Sequence, residues 1–430
     1  MSFEIDRRRL LGGFGALGAA ALVPGCATSG GGKKQAAGGA GDGSILLQNS
    51  ESNDPTKSAT EALVKAFNKG AGSDVKLNTV AVETFRTQLP SYLSSNNPPD
   101  VYTWYAGSVA RQFAKKGELL DLSHVWESSL SNYSPALKSL CTDTNGKQIF
   151  VPRNYYYWGV WYRKSMFAQW GVEVPATWTK FLDVCKKIQT KGVPAVGTGH
   201  QGTNAWILAG WFDYLNMRIN GPDYHVKLLA GADSFDSPKV TTVFDTWKQA
   251  MPYFDPKGAA TDYNLTFTQL AQGKVGMTLA GSYILGALPE NVLGDIDFFQ
   301  FPIIDPSVPV GEEAPTDGVF ASARTQNSRT VEAFCSFIAR PEVQRDWIAV
   351  AGGGNLPCNP GAPIADDVHT KKGKDMLERA GALTQFFNRD SSDGLQETAN
   401  AALAEFLAKP NDAKRIQSTW EDAAKRVFTS

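Results

Sequence analysis

In Asn97-Pro98-Pro99-Asp100-Val101-Tyr102-Thr103-Trp104-Tyr105, two prolines and an aspartate make a turn, and the β-branched and aromatic residues after them make a strand. Toward the N-terminus the same rhythm repeats. A helix is expected from Thr84 to Ser94, and a strand from Val75 to Val82. Before them comes a helix entered through Asp54 and Pro55 and closed by Gly70, and a first short strand, Ile45-Leu46-Leu47. Toward the C-terminus, Gln112 to Lys116 is helical and stops at Gly117. Strand and helix alternating at this spacing predict an open, mostly parallel sheet with helices on both faces. Such sheets take ligands at the carboxyl ends of their strands.

The rhythm returns further on. Val160-Trp161-Tyr162 reads as a strand, Pro175-Ala176-Thr177-Trp178 as a helix start capped by Thr177, and Gly192 to Val196 as a strand. From about Val331 the chain is mainly helical. Of 430 residues, 42% are hydrophobic and 20% charged, a balance that suits a folded protein of two ordinary domains. With 42 Lys+Arg against 43 Asp+Glu, the net charge is -1, which argues against nucleic-acid binding.

The N-terminus has its own pattern. Arg7-Arg8-Arg9 precedes an apolar stretch from Leu10 to Val23, then Val23-Pro24-Gly25-Cys26 and a Gly- and Ala-rich tether to Gly43. It resembles a bacterial lipoprotein signal with a twin-arginine character, Asp6 and Pro24 departing from the usual residues. Residues 1–25 are read as the signal, Cys26 as the lipid-bearing first mature residue, and 26–43 as a flexible tether. The alternative is ordinary secretion with cleavage nearby. Cys141, Cys185, Cys335 and Cys358 remain; two disulfides and four buried thiols are equally open readings, and the spacing does not suit a metal site.

Catalytic and cofactor motifs are weak. Gly197-Thr198-Gly199-His200-Gln201-Gly202 fits a dinucleotide pattern, but no clear acidic ribose partner follows about 20 residues on. There is no nucleophile elbow and no paired-histidine zinc motif. The more telling feature is aromatic residues at strand ends: Trp104 and Tyr105, Tyr156 and Trp158, Trp206, and Tyr283. A flat ring at a strand end can stack on the C–H face of a sugar, while carboxylates such as Glu51 and Asp317 accept from its hydroxyls.

Several segments then add up in order: Asn97 to Val101 with Ala114 to Leu122, Gly146 to Pro152 leading to Trp161-Tyr162-Arg163-Lys164, Pro175 to Trp178, Gly273-Lys274-Val275-Gly276-Met277, and Arg340-Pro341-Glu342-Val343-Gln344. Together they resemble the carbohydrate-binding extracellular solute-binding proteins of ABC importers, the group related to maltodextrin-binding protein. The resemblance implies a two-lobe, type II periplasmic-binding-protein fold of α/β class, hinge-linked around a cleft. Lobe 1 is expected to comprise 44–152 and 319–375, and lobe 2 153–318 and 376–430. It implies Glu51, Trp104, Tyr156, Trp206, Tyr283 and Asp317 as ligand-binding residues, to which the strand-end reading adds Tyr105 and Trp158, with no catalytic residue, cofactor or metal. Arg163 stands where the family usually has Asn. The implied partners are a carbohydrate, ABC permease subunits with a cytoplasmic ATPase, and the membrane through the lipid anchor, the receptor itself being a monomer on the outer surface. Three other readings stay open: a same-fold receptor for a phosphorylated polyol or peptide, for which Arg153 or Arg163 would serve; an exported glycan-acting enzyme; and an adhesion or sensor lipoprotein.

Overall fold

The computed structural model describes residues 43–70 and 74–429, so the signal, Cys26 and most of the tether lie outside it. The Asn97–Tyr105 stretch forms the strand expected of it, as one of eleven among the described residues, in chain order: β1 Ile45–Asn49, β2 Val75–Thr79, β3 Val101–Tyr105, β4 Val151–Tyr155, β5 Trp158–Arg163, β6 Met277–Gly281, β7 Ile296–Phe299, β8 Gly311–Glu313, β9 Thr316–Ala321, β10 Leu356–Pro357 and β11 Ala382–Thr384.

Six of them make one sheet in the order β10-β4-β9-β3-β1-β2, three make a second in the order β6-β5-β7, and β8 pairs with β11. β1 runs parallel to both β2 and β3, as the strand–helix alternation requires. The rest of the large sheet departs from the expected mostly parallel pattern. β9 lies antiparallel to β3 and β4, and β10 antiparallel to β4. In the small sheet β5 is antiparallel to both neighbours. The reason is topological. β9 enters from a distant part of the chain, not from a helix packed beside β3, so no crossover fixes its direction. The predicted strand Gly192–Val196 is reduced to parallel bridges from Val196 to Met277 and Phe254.

Local sequence sets the helix entries. Thr177 caps Trp178–Gln189 by accepting from the Lys180 amide, and Ser237 caps Pro238–Ala250 with the proline in its first turn. Asp54 sits at the entry to Thr56–Gly70 and accepts from Ser58 Oγ at 2.6 Å. The first two dinucleotide-like glycines are packing residues: a Cβ at Gly197 would lie 2.8 Å from Thr266 Cγ2, and one at Gly199 2.5 Å from the Asp262 carbonyl.

Two apolar clusters form the core. Alternation along β5 assigns its two faces to different clusters. Trp161 joins the one built on the large sheet, while Trp158, Val160 and Tyr162 join the one under the helices Ile207–Asn220, Pro238–Ala250, Asp393–Ala408 and Ala413–Thr429. Cys141, Cys185, Cys335 and Cys358 are all buried free thiols, which settles the open disulfide question. Burial raises each thiol, Cys335 to about 12, so they stay protonated and inert.

Candidate ligand-binding site

The ends of β3, β4, β6 and β11 point at one cavity of about 230 Å³. Tyr105 ends β3, Tyr156 follows β4, Trp158 opens β5, and Tyr283 stands two residues after β6. Trp206 comes from the short turn Gly202–Trp206. Five of the eight expected residues therefore meet here, joined by Arg86, Phe386, Asn388, Arg389 and Gln396.

The rings hold one another in a box. Trp158 stacks on Phe386 with centroids 4.8 Å apart and planes at 16°. Trp206 and Tyr283 meet Trp158 edge-on at 6.3 and 5.9 Å, and Tyr156 meets Tyr283 edge-on at 6.1 Å. Gly281 makes this possible, because a Cβ there would come within 2.5 Å of the Tyr283 ring and 3.0 Å of the Tyr156 ring. Two polar atoms of the box, Trp158 Nε1 and Tyr283 Oη, are buried with no hydrogen-bond partner among the described residues. An indole N–H and a neutral phenol are donors of the kind that hydroxyl-bearing ligands accept from.

The polar side is organised by Arg389. It donates to Asp317 Oδ1 at 2.8 Å and lies over the Tyr105 ring at 4.1 Å and the Tyr156 ring at 5.6 Å. Burial disfavours its charge, but Asp317 and the two tyrosines more than offset this and hold the guanidinium protonated. Burial raises the Asp317 carboxyl, against the pull of Arg389 and Arg153. Burial also pushes Tyr156 up to about 12, so its phenol is a neutral donor.

Glu51 and Trp104 stand outside this lining. Glu51 is ion-paired with Arg153, which packs over the Trp347 ring at 3.7 Å. It reaches the cavity only through a polar chain: Arg153 Nε donates to Asn154 Oδ1 at 3.0 Å, Asn154 Nδ2 to Asp317 Oδ2 at 3.4 Å, and Asp317 holds Arg389. Asp317 is thus one step behind the wall. Trp104 is buried, stacked on Phe85 at 4.9 Å and on Tyr105 at 4.4 Å, and so backs a cavity residue instead of facing a ligand. Neither arginine named for a phosphate lines the cavity. Arg153 is taken by Glu51, and Arg163 is paired with Asp295 at 2.7 Å.

Arg389 and its neighbours were missed because β11, only three residues long, was not read as a strand. The signal was present: Phe386-Phe387-Asn388-Arg389 is another aromatic run just beyond a strand end. Four larger hollows, of about 880, 560, 540 and 430 Å³, lie elsewhere. Their walls carry at most one Phe, Tyr or Trp apiece, Phe428 in the first and Phe254 in the second. Size alone is a poor guide beside convergent rings and orphaned donors.

An open α/β sheet, a smaller second sheet and an aromatic cavity at converging strand ends define a two-lobe, type II solute-binding fold. The chain belongs to the bacterial extracellular solute-binding protein family, whose model matches residues 51–345. The bacterial solute receptor AcbH, described as having an exclusive preference for β-D-galactopyranose, superposes with a TM-score of 0.85 at 28% identity, over 90% of this chain and 98% of that one. RafE in complex with raffinose superposes with a TM-score of 0.68 at 18% identity, over 90% and 99%. By sequence the chain is 25% identical to the alpha-glucosides-binding periplasmic protein of Rhizobium meliloti, over 69% of each. It is 23% identical to an uncharacterised ABC transporter extracellular-binding protein of Pyrococcus horikoshii, over 80% of this chain and 81% of that one.

Proposed function

We propose that this protein is the substrate-binding component of an ABC importer and that it captures one monosaccharide, a hexopyranose, in the cavity between Tyr105, Tyr156, Trp158, Trp206, Tyr283 and Arg389. The observation that carries the reading is the ring box with its two orphaned donors beside a fixed guanidinium. Rings suit a pyranose face, and Trp158 Nε1, Tyr283 Oη, Asn388 and Gln396 suit its hydroxyls. The cavity, about 230 Å³, is below the roughly 300–1,000 Å³ that encloses drug-sized ligands, which favours one sugar ring over a chain. The likeness to a galactopyranose receptor supports the same choice.

The lobes are taken as 44–152 with 319–375 and 153–318 with 376–430. β4 and β9 straddle two of these boundaries, so those crossings fall within strands of the large sheet. Sugar touching both lobes shifts the population toward the closed form, which the permease subunits recognise; no covalent step is needed. Trp104 and Glu51 act from behind, by positioning Tyr105 and, through Arg153 and Asn154, Asp317. Cys26 carries a diacyl anchor that holds the monomeric receptor at the outer face of the membrane, tethered through 26–43.

A thermal-shift screen tests the ligand class. D-galactose or another hexose raises the melting temperature of the mature protein, while chitin oligosaccharides and raffinose shift it less. A larger shift with the oligosaccharides, or none with any hexose, overturns the monosaccharide reading.

A further inference from the structure

Behind the cavity wall two acids meet without a cation. Asp213, on the helix Ile207–Asn220, and Glu313, at the end of β8, are fully buried and in carboxyl–carboxyl contact. The nearest guanidinium, Arg218, is committed elsewhere: to Glu312, to the Gly311 carbonyl, and to the Phe301 carbonyl at 3.2 Å. Glu312 also accepts from Tyr214 at 3.1 Å and Gln300 at 2.9 Å. On the third side, His225 Nδ1 faces Asn216 Nδ2 at 3.1 Å, and its Nε2 lies 3.5 Å from Asp213 Oδ1. Burial lowers this imidazole to about 3, so it is neutral and supplies no charge.

Neither Glu313 oxygen has a conventional donor among the described residues, and the same is true of Asp213 Oδ1. A single proton on Glu313, donated to Asp213, accounts for the contact and leaves one buried charge instead of two.

The remaining Asp213 oxygen has a defined task. It accepts the Phe387 amide at 2.9 Å. Phe387 lies between Phe386, which backs Trp158, and Asn388 and Arg389, which line the cavity. The segment's far end is fixed by Asp390, which takes the Ser108 amide at 2.7 Å and the Gln385 amide at 3.4 Å. Gly107 is required there, since at φ +83 its Cβ would fall 2.6 Å from Asp390 Oδ1. Once the proton is lost, the Glu313 charge also bears on Tyr156 and Tyr283.

We propose that Asp213 and Glu313 share one proton, and that this pair positions the Phe386–Arg389 wall so that sugar binding weakens when the proton is lost. The inference rests on the sugar reading of the cavity. Deprotonation places a second negative charge among Asp213, Glu312 and Asp390 with Arg218 already engaged, and the Asp213 hold on the Phe387 amide is disturbed. Burial first, then the Asp213 and Glu312 charges, raise Glu313 well above the ordinary carboxyl range, so its proton is lost only as pH rises.

The test is calorimetric titration of the full mature chain with D-galactose between about pH 6 and pH 9, alongside melting curves. Wild-type affinity falls about fivefold or more toward the alkaline end. Glu313→Ala is weak throughout, whereas Glu313→Gln, a neutral amide that can still donate to Asp213, restores binding and flattens the profile. Parallel weakening of wild type and Glu313→Gln with pH overturns the proposal. The melting curves are an arm that needs no sugar. A folded-state pKa raised above the unfolded one gives stability that is full below the unfolded value and lost as pH rises through the folded value. The melting temperature of Glu313→Gln therefore gains on wild type as pH rises, whereas a merely structural role gives a constant offset and refutes the shared proton. If D-galactose fails to bind at any pH while the melting difference behaves as expected, the ligand reading fails and the proton pair stands.

Discussion

At the residue scale, the two expected stacking residues, Trp104 and Tyr283, separate into different roles. Tyr283 Oη has no partner among the described residues, so Tyr283→Phe removes nothing that holds the apo protein together. Its melting temperature stays at the wild-type value, while the lost sugar hydrogen bond, worth about 0.5–1.5 kcal/mol, weakens binding about 2- to 12-fold by calorimetry. Trp104 is buried between Phe85 and Tyr105. Trp104→Ala costs about 3–5 kcal/mol in urea denaturation, and any loss of sugar affinity follows from the displaced Tyr105. Undiminished stability of Trp104→Ala would show that this ring does not belong to the core.

At the scale of elements, the sequence was legible where periodicity and punctuation coincide. The Pro98-Pro99 turn and the Val101–Tyr105 strand were readable together, as were Thr177 and the helix behind it, because each signal is local. Two things were not local. The direction of β9 beside β3 depends on where a segment some 200 residues away returns, which no window of sequence contains. β11, three residues long, carries too little pattern to register, and with it went Arg389, the central polar residue of the cavity. Whether a strand-end aromatic faces a cavity or a core also depends on its neighbours across the sheet. Tyr157 shows this, being fully buried with its hydroxyl on the His369 carbonyl, one residue from the cavity-lining Tyr156. The antiparallel seam between β4 and β9 is correspondingly tight. A Cβ at Gly318 would lie 2.1 Å from the Val151 carbonyl, so Gly318→Ala forces the strands apart and costs at least about 1–3 kcal/mol by chemical denaturation. Wild-type stability of that variant would mean the seam is looser than described.

At the scale of the whole molecule, the receptor reading joins three parts: an anchored start, two lobes and a cavity at their crossing strands. The anchor is tested apart from the rest. The full chain fractionates with membranes, and Cys26→Ser releases it to the soluble fraction without altering sugar binding; a wild-type mature chain that is wholly soluble removes the anchor from the account. The central claim is the occupant of the ring box, and a crystal structure of the mature protein grown with the hexose that gives the largest thermal shift tests it most directly. The account predicts one pyranose ring among Tyr156, Trp206 and Tyr283, with its hydroxyls on Trp158 Nε1, Tyr283 Oη and Arg389. Sugar bound elsewhere on the molecule, with those two donors still unpartnered, would contradict it.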